Sequence, residues 1–257
     1  MSLIKIRTNK MAVMYTGNYE ITITDLCNNI SKLCSRNSIV IISRNTRISC
    51  SSNIFYGEIL RNAIFFEHKT IMDIKKILTL ASFNKKENSL DFSYASSYEK
   101  RIICVDASDK MGRCYNEIKN ASNTYSKIIN FLYLCKISDI ELDIFYIVYQ
   151  SAITTFCNKA IDIIESDLSK RWTLQSLSDI FNISEVAIRK KLESEGINFK
   201  ELITETRMKK ALSMMIEGKF NISQIAMCVG YKNTSYFISS FKKFFGVTPK
   251  QLQLSLI

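Results

Sequence analysis

From residue 11 to residue 66 the chain follows a two-residue period. In MAVMYTGNYEITITDL apolar and polar positions alternate on either side of Gly17-Asn18, a pair suited to a turn. In SIVIISRNTRISCSS a short apolar run, Ile39 to Ile42, gives way to further alternation. Successive side chains of a strand point to opposite faces, so this pattern predicts strands joined into an antiparallel sheet or small barrel. At Thr70 the period changes. IMDIKKILTLA sets Ile71, Ile74, Ile77, Leu78 and Leu80 at helical spacing and predicts a helix lying on that sheet. Residues 84–105 have no dominant period and read as a loop with a strand at ICV, and helices are predicted over 109–121, 124–135 and 139–157.

Beyond residue 158 nothing reads as strand. No Pro/Gly/Ser linker marks the change, so the division into 1–157 and 158–257 rests on pattern alone. A helix over 160–168 leads into SKRWTLQSLSDIF, where Trp172 is expected to pack and Thr173 suits the N-cap of a short helix over 174–181. Asn182-Ile183-Ser184 makes a tight turn, Ser184 caps a helix over 185–195, and Gly196 closes it. The next helix, about 200–217, carries Met208, Ala211, Leu212 and Met215 as an apolar stripe and ends at Gly218. The earlier pattern then returns. Ser223 is expected to cap a helix over 224–229, Gly230 ends it, and a last helix spans 235–245 before Gly246 and Pro249, the only proline.

The two short-helix pairs, about 174–195 and 223–245, share one plan. A helix-turn-helix needs a small residue where the second helix crosses the first, a turn position tolerant of positive φ, and a second helix with one face buried and one free. Ala226 and Gly230 fill the first two roles in the later pair, Ser178 and Asn182 in the earlier. At 100° per residue, Phe237, Phe241 and Phe244 share a side opposite Ser235, Ser239 and Lys242. In the earlier pair Ile188 and Leu192 face inward, Val186, Lys190 and Glu193 outward, with Arg189 on the flank. Ser178 and Ala226 lie 48 positions apart. The helix between them would span roughly 27 Å at 1.5 Å per residue, a length fit to hold two recognition helices about one DNA turn, ~34 Å, apart.

Charge points the same way. With 35 Lys and Arg against 24 Asp and Glu the formal charge is +11, and the pI is about 9.2, which favours a nucleic acid or an anionic surface as partner. No apolar run approaches bilayer length and MSLIKIRTNK lacks a signal-peptide core, so a cytoplasmic protein is expected, without membrane association. The eight cysteines form no Cys-x-x-Cys pair and have a single histidine, His68, to join them; reduced, mostly buried thiols and no metal are expected. With no second histidine, no GxxxxGK[ST] loop and no GxSxG elbow, neither catalysis nor a cofactor is expected.

The segment IAMCVGYKNTSYFISSFKKFFGVTPKQ resembles the signature of the AraC/XylS family of bacterial transcription regulators: Ile-Ala, Gly-aromatic, Ser-Tyr-Phe, Phe-Lys-Lys-x-Phe-Gly and Thr-Pro occur in order. LSDIFNISEVAIRKKLESEGINFKELI followed by RMKKALSMM resembles that family's first helix-turn-helix and linker helix, with Arg207 and Ala211 in the usual Arg-x-x-x-Ala relation. SDLSKRWTL and ISEVAIRKKLESE are closest to the activators of fimbrial and other virulence genes in enteric pathogens. The resemblance implies an α+β protein: an N-terminal cupin-like barrel or sheet with helices that can dimerise, and an all-α DNA-binding domain. It implies base contacts from Val186, Arg189 and Lys190 in the first unit and from Asn233, Thr234, Ser235 and Ser239 in the second. Lys191, Lys232, Lys242 and Lys243 are expected on phosphates. The second unit has no outward arginine, so shape readout of AT-rich promoters is expected to carry more of its preference. Several subgroup members bind fatty acids with basic side chains, for which this chain offers Lys10, Lys69 and Lys219; a regulator with no effector is the alternative. Partners implied are double-stranded DNA, RNA polymerase, a fatty-acid effector and a second copy of the chain. Two rival readings are an anti-activator that sequesters another regulator and a nonspecific architectural DNA binder.

Overall fold

A computed structural model describes residues 2–52, 59, 61–83 and 100–255. The chain divides into two compact units, Met1–Ile153 and Thr154–Ile257.

Among the described residues the first unit contains eight strands: β1 (Ser2–Arg7), β2 (Met11–Tyr15), β3 (Ile21–Asp25), β4 (Ile30–Cys34), β5 (Ser38–Ile42), β6 (Arg47–Ser52), β7 (Ala63–Phe66) and β8 (Ile102–Asp106). They form two antiparallel four-stranded sheets, in the orders β1-β6-β3-β4 and β7-β2-β5-β8. The alternation over 11–52 is thus largely strand and β7 takes 63–66, with β1 before them and β8, which contains the ICV run, after them; residues 53–58 and most of the predicted loop, 84–99, lie outside the described residues. Gly17, at φ 56°, does turn the chain, but β2 and β3 are not a hairpin. β2 pairs with β5 and β7 while β3 pairs with β4 and β6, so the turn carries the chain from one sheet to the other.

Among the described residues this unit also has four helices: α1 (His68–Phe83), α2 (Asp109–Lys119), α3 (Thr124–Ile137) and α4 (Glu141–Ala152). They cover one face of the second sheet, where Met11, Val13, Ile39, Ile41, Ile64 and Phe66 meet Ile71 and Ile74 of α1 and Phe131 and Leu134 of α3. Ala12, Met14, Val40 and Ile42, on the opposite face, are buried too. Ile77 and Leu80, expected on the packed stripe of α1, are exposed. At 100° per residue Ile71, Ile74 and Leu78 cluster, whereas Leu80 stands opposite Ile71.

The predicted helix over 139–157 is two helices. α4 ends at Ala152, Ile153 is extended, and Thr155 begins α5 (Phe156–Ser166) with a reciprocal capping box to Asn158. The second unit continues with α6 (Leu174–Phe181), α7 (Glu185–Ser194), α8 (Phe199–Glu217), α9 (Ile222–Cys228), α10 (Thr234–Phe245) and α11 (Pro249–Ser255). Thr173 and Ser184 cap α6 and α7 as expected. Asn221, not Ser223, caps α9, because Asn221 and Gln224 satisfy each other's backbone amides in a capping box. On α10 the fully buried phenylalanines are Phe237, Phe241 and Phe245, and Phe244 is only half-buried. The chain reverses at Gly246, φ 76°, so that α11 packs back on α8 and α10.

All eight cysteines are free thiols, five of them buried, with Cys27 and Cys228 exposed. Among the described residues no helix is long and apolar enough to cross a membrane, and no cluster of His, Cys, Asp and Glu could hold a metal ion.

Candidate nucleic-acid interface

α6–α7 and α9–α10 are helix-turn-helix units built on the same backbone device. In the first, the Ile183 amide donates back to Ser178 O at 3.3 Å; in the second, the Tyr231 amide donates to Ala226 O at 2.9 Å. Each bond spans five residues and encloses one left-handed residue, Asn182 at φ 53° and Gly230 at φ 81°. Ser178 adds a side-chain bond from its hydroxyl to Ile183 O. In the second unit the small residue is Ala226, fully buried beneath the crossing.

Gly230 is needed for a second reason. A Cβ there would lie 2.3 Å from the carbonyl oxygen of Leu168 and 2.7 Å from Nη2 of Arg207, closer than any side chain tolerates. Arg207, in the middle of α8, donates from Nη2 to Leu168 O and to Lys170 O, both at 3.0 Å. Its guanidinium also lies 5.8 Å from the Tyr231 ring. Burial draws the Arg207 pKa down and pushes the Tyr231 phenol up. Trp172 anchors the same segment, buried with its indole N–H on Asp167 O at 2.8 Å. Sequence reasoning named Arg207 only as a motif position; the contact itself is long-range in sequence and invisible to periodicity.

The solvent face of α7 carries the expected residues. Ile188 and Leu192 are fully buried, whereas Val186 is 62% exposed and Lys190, Lys191 and Glu193 are exposed. Arg189 is exposed and pairs with Glu185 one turn earlier at 3.7 Å, a surface contact that contributes little to stability. Lys191 lies 5.8 Å from the Phe156 ring. The far end of α7 is tied down: Glu195 accepts from the amides of Phe156 at 2.8 Å and Cys157 at 3.2 Å, closing the start of α5.

On α10, Ser235 and Ser239 are exposed and Thr234 is half-buried. Asn233 is the N-cap, its Oδ1 accepting from the Tyr236 amide at 2.9 Å, so that half of its carboxamide is already engaged. Lys232, Lys242 and Lys243 are exposed, the last two in the final turn, where cations also complement the helix dipole. Tyr236, 65% exposed beside these residues, was not among the expected contacts. It was legible as the one large aromatic of α10 lying off the Phe237–Phe241–Phe245 stripe.

Two capped units, each with a buried apolar side and a polar, cationic free side, joined by a 19-residue helix, define a protein that reads duplex DNA with paired recognition helices. A helix-turn-helix domain model matches residues 177–255. The transcriptional activator AggR of Escherichia coli is 34% identical over 254 residues, covering 96% of this chain and 91% of its own. The dual transcriptional regulator Rns of the same species is 31% identical over 250 residues, covering 96% and 91%. Among solved structures, the apo form of a ToxT point variant from Vibrio cholerae superposes with a TM-score of 0.74 at 18% identity, covering all of this chain and 93% of that one, and shares its two-domain fold. The chain belongs to the AraC/XylS family of DNA-binding transcription regulators.

Proposed function

We propose that this regulator activates virulence or fimbrial genes by placing α7 and α10 in successive major-groove segments of AT-rich promoters. The observation that carries the reading is the pair of exposed recognition faces on one rigid linker, together with relatives such as AggR and CsvR that are named as transcriptional activators. Arg189 and Lys190 are assigned to guanine O6 and N7, Val186 to a thymine methyl, and Thr234, Ser235, Ser239 and the Nδ2 end of Asn233 to base edges of the second segment. Lys191, Lys232, Lys242 and Lys243 take phosphates, joined by the Tyr236 hydroxyl. RNA polymerase is the downstream partner.

The test is a mobility shift with Arg189→Ala and Lys190→Ala on a promoter fragment selected by the wild-type protein from random DNA. Each substitution is expected to weaken specific binding by about 1–3 kcal/mol and to leave the circular dichroism unchanged. Wild-type affinity in both variants would remove direct readout by α7.

A second copy of the chain is assigned to α3, where Tyr125, Ile129 and Tyr133 leave one helical stripe 80%, 65% and 43% exposed. Ile129→Glu is expected to shift sedimentation toward monomer; an unchanged profile would remove this face from the dimer.

A fatty-acid effector is the remaining part of the reading, supported by the structure of ToxT with an unsaturated fatty acid. Lys10, Lys69 and Lys219 are the candidate carboxylate partners, all exposed. Lys10 is already paired with Glu67, so a fatty carboxylate there must displace that partner. Oleate at saturation is expected to raise the melting temperature; no change would exclude it.

A further inference from the structure

The linker helix alone does not fix the two reading heads, because a single helix leaves each short unit free to rock about its own attachment. A second connection crosses the domain. The backbone of Leu168–Lys170 leads into α6, the Gly230–Tyr231 turn leads into α10, and the guanidinium of Arg207 stands between them. One nitrogen, Nη2, holds two carbonyls of the first segment while the group faces the Tyr231 ring of the second. The turn backbone at Gly230 comes so near to Leu168 O that there is no room for a Cβ. Arg207 Nε is buried with no hydrogen-bond partner, so the residue is not there because it is easily buried. A lysine at this place could reach one carbonyl but would present no planar group to the ring.

We propose that Arg207 is a positioning residue that fixes the distance and angle between α7 and α10, and thereby sets the spacing between half-sites that the protein accepts, without reading any base itself. The inference rests on the two-headed DNA reading above. Coupling works through effective concentration: once one head is docked, a rigidly held second head is presented at its own half-site, and any loosening dilutes it over wrong positions.

The experiment uses the full chain and three kinds of duplex: the selected site, the same site with either half scrambled, and the same site with two base pairs inserted between the halves. Arg207→Lys and Arg207→Gln are compared with wild type. The wild type is expected to bind the selected site at least about tenfold more tightly than the lengthened one, and the variants to lose most of that gap. Affinity for a site with one intact half is expected to stay within about threefold of wild type in both, since neither recognition face is altered. Gly230→Ala, which disturbs the same contact from the other side, is expected to show the same loss. Arg207→Lys keeps charge and helix propensity, so it carries the test if Arg207→Gln does not fold. Retention of the wild-type spacing preference by Arg207→Lys and by Gly230→Ala would overturn the inference. Failure of the wild type to select any sequence would instead overturn the DNA reading on which it stands.

Discussion

The carboxamide of Asn233 has two ends with different tasks. Its oxygen caps α10 through the Tyr236 amide, and its nitrogen is the end proposed above to reach a base. Asn233→Ser keeps a capping oxygen and loses the reaching donor; Asn233→Ala loses both. Chemical denaturation is expected to show Asn233→Ala destabilised by about 1 kcal/mol and Asn233→Ser close to wild type, while both lose affinity for the selected site. Equal binding by the serine variant and wild type would show that Asn233 is a cap only. Thiol chemistry separates residues in the same way. The Cys104 thiol is brought down to about 7, first by its hydrogen bond with Cys34 and next against a desolvation cost that acts the other way. The Cys34 thiol is pushed up by the same bond, and burial pushes Cys50 up to about 12. Because the thiolate is the reactive form, labelling of Cys104 by iodoacetamide, followed by peptide mass spectrometry, is expected to rise with pH to a midpoint near 7 while Cys50 stays unlabelled. A midpoint near the ordinary thiol value would show that the Cys34–Cys104 contact is absent in solution.

At the scale of elements, what was legible followed from local rules. The second unit was readable almost residue by residue because capping, left-handed turns and helical stripes are all short-range: Thr173, Ser184, Asn182, Gly218 and Gly230 take their expected places. The exceptions are informative. Asn221 and Ser223 are both good capping types, and only the reciprocal partner Gln224 decides between them. Asn221→Ala is accordingly expected to cost about 1 kcal/mol and Ser223→Ala to be near neutral in thermal melts; the reverse order would contradict the assigned helix start. The break at Ile153 between α4 and α5 lay hidden because apolar spacing runs on across it, although Thr155-x-x-Asn158 carried the signal. Sheet pairing was not legible at all. A turn at Gly17 predicts a reversal, but which strand receives the chain depends on contacts tens of residues away. Arg207 was hidden for the same reason, since its partners Leu168 and Tyr231 lie in connecting segments well away from it along the chain.

For the molecule as a whole, the excess of +11 gives DNA association a strong ionic component. Each phosphate contact contributes about 0.9 to the slope of log affinity against log salt. Replacing Lys191, Lys232, Lys242 and Lys243 together by alanine is therefore expected to flatten that slope by about 3–4 units, with the preference for the selected site over random DNA retained. If preference vanished with the slope, these lysines would be reading sequence rather than holding the backbone.

The crossing of the chain between sheets at Gly17 has a consequence in time. β5 must find β8, and Ser38 must find Asp106, 68 residues along the chain, before the second sheet is complete. The helical unit, by contrast, joins partners over shorter stretches, such as the 39 residues between Arg207 and Leu168 and between Glu195 and Phe156. Rates of folding fall as the sequence distance between partners grows, so the two halves will mature on separate clocks. In stopped-flow refolding the signal of Trp172, the only tryptophan, should settle well before the strand signal in the far ultraviolet.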